Sequence, residues 1–157
     1  MSLQHELGLS KPFSHREHEA VLNVVFTGSL LVKEGNRLLQ PFGITDVQFN
    51  VLMLLHEQSA EGRINQTTLG NMLLVNRSNI TGLIDRMEEA GFVRRIANPG
   101  DRRVNYVEMT EAGRKLVKRV HDTYYSRIRE IMSDLSKAEC NLLCRIMERI
   151  RDHLKIT

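Results

Sequence analysis

Apolar residues between positions 15 and 40 recur with the period of an α-helix. One returns every three or four positions, and Pro41 then interrupts the pattern. This spacing predicts a long helix that ends at the proline. The apolar positions are Val21, Val24, Val25, Leu31, Leu38 and Leu39. The first ten or so residues carry no weight in this pattern, and we expect them to fray.

A second helix is predicted shortly after this proline. Thr45 can cap its first turn, and Gln48, three residues later, completes the capping-box pattern. The residues that follow are apolar on nearly every side, which is typical of a helix buried at the centre of a domain. We therefore expect this helix to lie in the core.

Two short helices joined by a tight turn are predicted next. Gly62 marks a turn, 63–65 reads as a short extended stretch, and a brief helix follows over about 66–73. Asn76 or Ser78 can cap the second helix, and Gly91 can end it. The apolar residues of the second helix follow the i, i+3, i+4, i+7 pattern; they are Ile80, Leu83, Ile84 and Met87. This arrangement predicts a helix-turn-helix motif.

Alternating polar and apolar residues then predict a β-hairpin. Its strands are expected over 93–96 and 104–109, around a turn at 97–103. Asp101, Arg102 and Arg103 fall in this turn, where no core can use their charges. We expect these charges to meet a partner outside the chain.

Two long helices complete the pattern. Thr110 can cap the first, which is expected to reach about residue 135, and the second is expected from Ser136 onward. Both carry apolar residues at spacings of three and four, as a coiled coil does. They are Val117, Val120, Tyr124, Ile128, Ile131 and Leu135, then Leu143, Ile146, Met147, Ile150 and Leu154. These stripes predict either helices that pair between two copies of the chain or an ordinary helical core.

Length and composition fit one domain, because 157 residues that are 41% hydrophobic can bury a core. The sequence has no apolar run of about 18 residues and no signal-peptide pattern, so we expect a cytoplasmic protein with no membrane partner. Cys140 and Cys144 lie four apart on one helix face, which is poor placement for a disulfide and fits a reducing compartment.

Positive charge is concentrated in the middle of the chain. Residues 63–119 contain 11 Lys and Arg against 6 Asp and Glu, a net charge of +5. The whole chain has a formal net charge of +3, so the remainder carries −2. This distribution suggests a polyanion as the partner of the middle segment alone.

A helix-turn-helix followed directly by a hairpin with a charged tip is the layout of a winged helix-turn-helix domain. Asp101-x-Arg103, followed after five residues by Met109-Thr110-x-x-Gly113, resembles the wing signature of the MarR family of bacterial transcriptional regulators. Met109 stands where leucine is usual, which exchanges one apolar residue for another. The stretch 69–95 also resembles the recognition helix and first wing strand of that family.

The resemblance implies a mainly α-helical fold with a small β-hairpin wing (α+β). The whole chain, 1–157, would form one MarR-like domain. In it, about 45–113 would make the winged helix-turn-helix lobe that binds DNA, while about 12–40 and 114–157 would make a dimerisation lobe of interlocking N- and C-terminal helices.

The implied function is a sequence-specific regulator of transcription that binds double-stranded DNA. It is expected to be a ligand-responsive repressor that binds a pseudo-palindromic operator as a homodimer. The alternative is a winged-helix module that docks onto proteins without specific DNA binding. An enzyme is not expected, because the sequence has no Gly-rich phosphate loop, no Gly-x-Ser-x-Gly and no catalytic spacing of His and carboxylates.

The helix that begins near Asn76 would enter the major groove with its first turns, and a wing arginine would enter the minor groove. Arg103 is the expected groove probe, with Asp101 as its orienting partner; Arg77 or Arg86 is an alternative partner for that carboxylate. The expected DNA contacts are Gln66, Thr67, Thr68, Arg77, Ser78, Asn79, Thr81, Arg86, Arg94, Asp101, Arg102 and Arg103, with Arg95, Arg114 and Lys115 as further phosphate contacts. Helix capping is the alternative role for 66–68 and for 78–79.

The resemblance also implies a small aromatic or carboxylic effector between the dimerisation helices and the winged lobe. The candidate neighbours, for which a place in the core is the alternative, are Phe26, Leu30, Phe49, His56, His121 and Tyr124. No metal or cofactor is expected, since His15 and His18 beside Glu17 and Glu19 are typical of a solvated helix end. Cys140 and Cys144 are expected to be buried, inert thiols on the dimer face.

Overall fold

The computed structural model describes residues 2–57, 62–73, 77–98 and 100–154; at 77–78 and 101–104 it describes the backbone alone. Its helices are α1 (Leu3–Glu6), α2 (Arg16–Leu39), α3 (Asp46–Glu57), α4 (Gln66–Met72), α5 (Arg77–Glu89), α6 (Glu111–Ile131) and α7 (Lys137–Leu154). Its strands are β1 (Arg63–Asn65), β2 (Val93–Asn98) and β3 (Asp101–Met109). The predicted order of long helices, helix-turn-helix and hairpin is confirmed, and the fold is mainly α-helical with a small antiparallel sheet.

The N-terminal segment contains a short helix, α1, that the spacing of apolar residues did not predict. Leu3 within it is buried. The expected fraying of these residues stays a prediction. Helix α2 ends at Leu39, just before Pro41 as predicted, and the chain passes directly into a 3-10 turn, Gln40–Phe42, that contains the proline.

The capping box predicted for α3 is confirmed. The backbone N–H of Thr45 donates to Oε1 of Gln48 at 2.9 Å, and the Gln48 N–H points back to Oγ1 of Thr45 at 3.4 Å. Helix α3 is buried as predicted through Phe49, Val51, Leu52 and Leu55. At its first residue, burial raises the pKa of the Asp46 carboxyl, although a hydrogen bond from Asn50 acts in the opposite direction.

The three strands form one antiparallel sheet in the order β1–β3–β2. Val107 of β3 lies at its centre, opposite Ile64 of β1 and Arg95 of β2. Ile64, Val93, Val107 and Met109 are buried, so one face of the sheet belongs to the core. The short stretch at 63–65 was predicted to be extended, and its pairing with the hairpin makes the wing three-stranded.

The hairpin turn is shorter than predicted. Strand β2 continues to Asn98 and β3 begins at Asp101, so the three charged residues assigned to the turn lie in a strand. Asn98 pairs with Asp101, and its Oδ1 accepts a hydrogen bond from the Gly100 N–H at 3.0 Å. The register shifts between Ala97, which pairs with Asn105, and Asn98, which pairs with Asp101. Residues 102–104 of β3 therefore lie opposite the one peptide bond between Ala97 and Asn98. Backbone pairing extends the strands past the point where the apolar alternation stops.

The last two helices differ from the prediction at one boundary. Helix α6 ends at Ile131 rather than near 135, because the chain tightens there: the Ser133 N–H donates to the Glu130 carbonyl and the Leu135 N–H to the Met132 carbonyl. Helix α7 begins after Ser136 as predicted. The Ser136 N–H and hydroxyl donate to Glu139, and these bonds hold the pKa of the Glu139 carboxyl below its usual range.

The chain divides into two compact units, 1–118 and 119–157. The first contains both helices of the helix-turn-helix, the whole sheet and most of the buried apolar residues; its fully buried side chains include Leu39, Phe49, Leu52, Leu69, Ile84, Met87 and Val107. The second contains the greater part of α6 and all of α7. Among the described helices, none alone is long and apolar enough to span a membrane. One pair, Arg16–Phe42 with Asp46–Glu57, reaches that length and hydropathy only together, and the two helices are bent by 82° to each other.

Candidate nucleic-acid interface

The apolar stripe of α5 decides which face of this helix is turned to solvent. Ile80, Leu83, Ile84 and Met87 are all buried, as the sequence predicted. Because these residues face inward, the opposite side is turned to solvent. The exposed side chains on that side are Asn79, Thr81, Asp85 and Arg86. Helix α5 therefore presents polar groups from its first turn to its last.

The end of α5 sets the direction of the wing. Gly91 has φ +75, a left-handed conformation that side chains rarely adopt, and its N–H donates to the Glu88 carbonyl at 2.9 Å. The Phe92 N–H donates to the Met87 carbonyl at 2.9 Å, which completes the helix end. The prediction that Gly91 ends the helix is thus confirmed, and β2 begins two residues later.

The start of α4 is capped by Asn65, which the sequence analysis did not single out. Its Oδ1 accepts hydrogen bonds from the N–H groups of Thr67 at 2.8 Å and Thr68 at 3.3 Å. These N–H groups therefore already have an acceptor within the chain, and contact of residues 66–68 with DNA stays a prediction. Both threonine side chains are exposed, so their hydroxyls can still reach a ligand. Asparagine directly before a helix is a common cap, and that signal was present in the sequence.

Arg95 lies at the centre of a polar network that joins α4, α5 and β2. Its guanidinium contacts Asp85 at 2.6 Å and Glu88 at 2.7 Å, and donates to Oε1 of Gln66 at 3.1 Å. Gln66 also donates from Nε2 to the Thr81 hydroxyl at 3.2 Å. Both residues were predicted to contact DNA. The structure instead places the polar ends of both side chains on partners within the chain.

Other arginines of the basic segment have internal partners too. Arg94 pairs with Glu108 across the sheet, and the guanidinium of Arg63 lies 5.1 Å from the ring centroid of Tyr106. Arg114 donates to the Met109 carbonyl at 2.9 Å and to Glu111. The side chains of Arg94 and Arg114 are more than half exposed, so their guanidinium groups remain open to solvent.

The wing is locked to the start of α6 through Thr110. Its hydroxyl donates to the Gly91 carbonyl at 2.6 Å and accepts from the Gly113 N–H at 3.1 Å, which confirms the predicted cap. Gly113 is in such close contact with Phe92 and Met109 that a Cβ there would overlap the Phe92 carbonyl oxygen. The Thr-x-x-Gly pattern is thus a requirement for close packing at this junction.

Five side chains predicted to contact DNA lie outside the described part of the chain. They are those of Arg77, Ser78, Asp101, Arg102 and Arg103. Their backbone positions are described: the first two open α5, and the other three lie in β3. The pairing of Asp101 with an arginine therefore stays a prediction.

The predicted effector neighbours fall in both compact units, and their grouping around one ligand stays a prediction. In the first unit Phe49 is a core residue, Phe26 is half-buried, and Leu30 and His56 are exposed. In the second unit the ring of Tyr125 lies between the other two predicted neighbours, His121 and Tyr124. Its centroid is 4.7 Å from that of His121 and, in an edge-on arrangement, 5.5 Å from that of Tyr124.

The residues considered for metal and redox chemistry are placed on helices and loops near the two ends. His15 precedes α2, and the ring of His18 lies edge-on to Phe13 at 6.2 Å. Within the described residues, no three His, Cys, Asp or Glu side chains are grouped so that they could hold a metal ion. In the single chain Cys140 is half-buried and Cys144 exposed, and burial of these thiols on a dimer face stays a prediction.

Comparison with known proteins agrees with this architecture. Residues 44–104 match the model of the MarR family. The transcriptional activatory protein BadR of Rhodopseudomonas palustris is 31% identical over 131 residues, which cover 81% of this chain and 73% of BadR.

Two solved structures from Streptomyces coelicolor are similar along most of the chain. The MarR family transcriptional regulator AbsC superposes with a TM-score of 0.83 at 27% identity, covering 94% of this chain and all of AbsC. Sco3205, a MarR family transcriptional regulator crystallised in complex with DNA, gives a TM-score of 0.82 at 24% identity and 92% coverage of both chains. With its winged helix-turn-helix, its wing signature and these relatives, the chain belongs to the MarR family of transcriptional regulators.

Proposed function

We propose that this regulator binds double-stranded DNA specifically, with α5 in the major groove and the wing in the adjacent minor groove. The observation that carries the proposal is the polar face of α5, which the buried stripe turns outward directly beside the sheet. An α-helix fits the major groove, where its first turns reach base edges. A regulator is expected to act by occupying DNA rather than by catalysis.

The proposed base contacts lie on the first two turns of α5. Asn79 is suited to adenine and Thr81 to a thymine methyl or a phosphate, and Arg77 is suited to guanine. Ser78, Arg86 and the hydroxyls of Thr67 and Thr68 are proposed phosphate contacts. At the wing, Arg103 is the proposed minor-groove probe, with Asp101 as its positioner and Arg102 and Arg94 beside phosphates.

The proposed assembly is a homodimer. Along Lys137–Leu154, all of which is described, no side chain is buried; Met147 is half-buried, and five large apolar residues are exposed. They are Leu142, Leu143, Ile146, Ile150 and Leu154. Helix α2 likewise leaves Val21, Val24 and Val25 exposed. Contiguous apolar faces of this kind mark protein contacts, and a second copy with the same faces is the simplest partner.

In this proposal the dimer represses transcription by occupying a pseudo-palindromic operator. Two symmetric copies present two recognition helices, so the half-sites are expected about one helical turn apart. A small aromatic or carboxylic effector is proposed to lower the affinity for DNA. This part of the proposal is tested by adding salicylate or benzoate to the preformed complex and measuring release of the DNA.

The deciding experiment is a gel shift with the intergenic DNA directly upstream of the gene that encodes this chain. An unrelated fragment of equal length and base composition serves as the control at physiological salt. We expect a shift of the upstream fragment at nanomolar protein and a much weaker shift of the control. An equal affinity for both fragments, or no shift at micromolar protein, would favour the protein-docking alternative.

A further inference from the structure

We propose that Arg95 is a positioning residue for DNA recognition, which fixes α5 against β2 and α4 without touching DNA itself. The proposal rests on the DNA-binding function proposed above and adds to it a residue whose effect is indirect. It also assigns a specific purpose to Gln66, Asp85 and Glu88, which become the partners that hold Arg95 in place.

The geometry around Arg95 uses most of its hydrogen-bonding capacity. Its backbone N–H donates to Oε1 of Glu88 at 2.8 Å, and Nη1 donates to Oε2 of the same carboxylate at 2.7 Å. Nη2 contacts Asp85 at 2.6 Å and the Thr81 carbonyl at 3.3 Å, while Nε donates to Gln66 at 3.1 Å. A planar guanidinium with five donors can satisfy such a set, and lysine cannot.

The local charge balance argues against a phosphate contact by Arg95. Two carboxylates already face one guanidinium, so the cluster carries a net negative charge. The Arg95 side chain is 22% exposed, whereas that of Arg94, its neighbour on the same strand, is 65% exposed. A phosphate would have to displace close carboxylates from a largely covered guanidinium. Arg95 is therefore placed to organise the protein rather than to bind the DNA backbone.

The partners of Arg95 on α5 are spread along that helix. We call Arg95 and its partners Gln66, Thr81, Asp85 and Glu88 the Arg95 clamp, because together they hold α5 against β2 and α4. Thr81 lies in the second turn of the helix, and Asp85 and Glu88 lie one and two turns further on. Arg95 itself is in β2, the strand that leads to the wing tip. The same side chain thus holds the helix proposed for the major groove and the strand that pairs with β3, which carries the proposed minor-groove probe Arg103. A small rotation of α5 would move several base contacts out of register at once.

Gln66 extends the clamp to the first helix of the motif. It accepts a hydrogen bond from Arg95 through Oε1 and donates through Nε2 to the Thr81 hydroxyl. Thr81 is exposed on the face proposed to meet DNA, so this bond sets the orientation of the Thr81 hydroxyl, a proposed DNA contact, before DNA arrives. Pre-ordering of this kind lowers the entropy that specific binding would otherwise cost.

The test compares Arg95→Gln and Arg95→Lys with the wild-type dimer. Affinity is measured for the upstream fragment and for the unrelated fragment, each over a range of salt concentrations, together with the thermal unfolding midpoint. Arg37→Gln is the matched control, because it also removes a charge and an ion pair, Arg37 with Glu34 at 2.7 Å on α2. This control separates loss of the clamp from a general loss of positive charge.

We expect Arg95→Gln to weaken binding to the upstream fragment by about tenfold, in the range found for residues that act without touching the ligand. Binding to the unrelated fragment and the slope of log affinity against log salt should remain as in the wild type, because no phosphate contact is lost. Arg95→Lys should give an intermediate loss, and Arg37→Gln should leave both affinities unchanged.

Three results would overturn the inference. Wild-type affinity of Arg95→Gln for the upstream fragment would show that the clamp does not matter for recognition. A loss shared equally by both fragments, with a salt slope reduced by about one, would identify Arg95 as a phosphate contact. If Arg95→Gln is unfolded at the assay temperature, Arg95→Lys is used in its place. Wild-type selectivity between the two fragments in the Arg95→Lys variant would then overturn the inference. A wild-type protein without selectivity would instead overturn the proposed function and this inference together.

Discussion

Helices α5 and α7 carry the same apolar pattern and use it in opposite ways. In α5 the stripe of Ile80, Leu83, Ile84 and Met87 is at most 4% exposed. In α7 the corresponding residues Leu143, Ile146 and Ile150 are 41% to 42% exposed. Both stripes follow spacings of three and four, so the pattern alone does not distinguish a helix that completes a core from one that seeks a partner.

The difference identifies where each helix obtains its stability. Helix α5 packs within its own compact unit, where Ile80 lies close to Gly70 of α4 and the Arg95 clamp holds its outer face. Helix α7 is stabilised at its start by the capping box of Ser136 and Glu139. Its apolar side is left for the second copy of the proposed dimer to cover. If this contrast holds, changes to the α7 stripe should alter assembly, whereas changes within the winged unit should alter its stability or its binding to DNA.

Replacing two members of the α7 stripe should have the largest effect. The double variant Leu143→Asp, Ile146→Asp should be monomeric at micromolar concentration, because each buried apolar side chain contributes about 1.5–3 kcal/mol and a buried carboxylate costs more. Sedimentation velocity measures the outcome. Arg145→Asp, which reverses a charge on the other side of the helix, is the matched control and should remain dimeric. A double variant that sediments like the wild type would refute the proposed use of the α7 stripe.

The winged unit should be most sensitive at Gly113. Gly113→Ala places a Cβ against the Phe92 carbonyl oxygen, which a backbone group cannot easily avoid, so the free energy of unfolding should fall by about 3 kcal/mol. Chemical denaturation measures it. Gly28→Ala is the control, since its Cβ would meet no described atom within 4 Å and alanine favours a helix interior. Equal stability of the two variants would contradict the close packing at the wing junction.

The wing should matter for binding and hardly at all for folding. Arg103→Ala should weaken binding to the upstream DNA by about tenfold or more, lower the salt slope and leave the unfolding midpoint unchanged. Fluorescence anisotropy at several salt concentrations measures both quantities. Arg37→Ala serves as the charge control. Unchanged affinity of the Arg103 variant would remove the wing from the proposed interface.

The smallest effect is expected at the cap of α4. Asn65→Ala removes the acceptor of two backbone N–H groups and should lower the free energy of unfolding by about 1 kcal/mol. Asn65→Asp should keep most of the stability, because aspartate caps equally well. Thermal unfolding of the two variants measures their stability. An equal loss of stability in both would mean that Asn65 does not act through the helix cap.

Most of the fold was readable from the sequence because its signals are local. The capping boxes at Thr45 and Ser136 and the helix end at Gly91 involve residues within five positions of one another. The candidate interface was readable only in part. The outward face of α5 follows from its stripe, but the internal partners of Gln66 and Arg95 lie 7 to 29 residues away along the chain, on other helices or strands. No spacing rule predicts such contacts.

By itself the sequence determined the order of the helices and strands, their caps and the positions of the apolar stripes. Only the tertiary structure decided that β1 joins the hairpin, that the charged residues 101–103 lie in a strand, and that Arg95 is held by α4 and α5. It also decided which stripe is buried within the chain. The physical reason is that periodicity and capping act over a few residues, whereas strand pairing, burial and ion pairs depend on which distant segments the packing brings together.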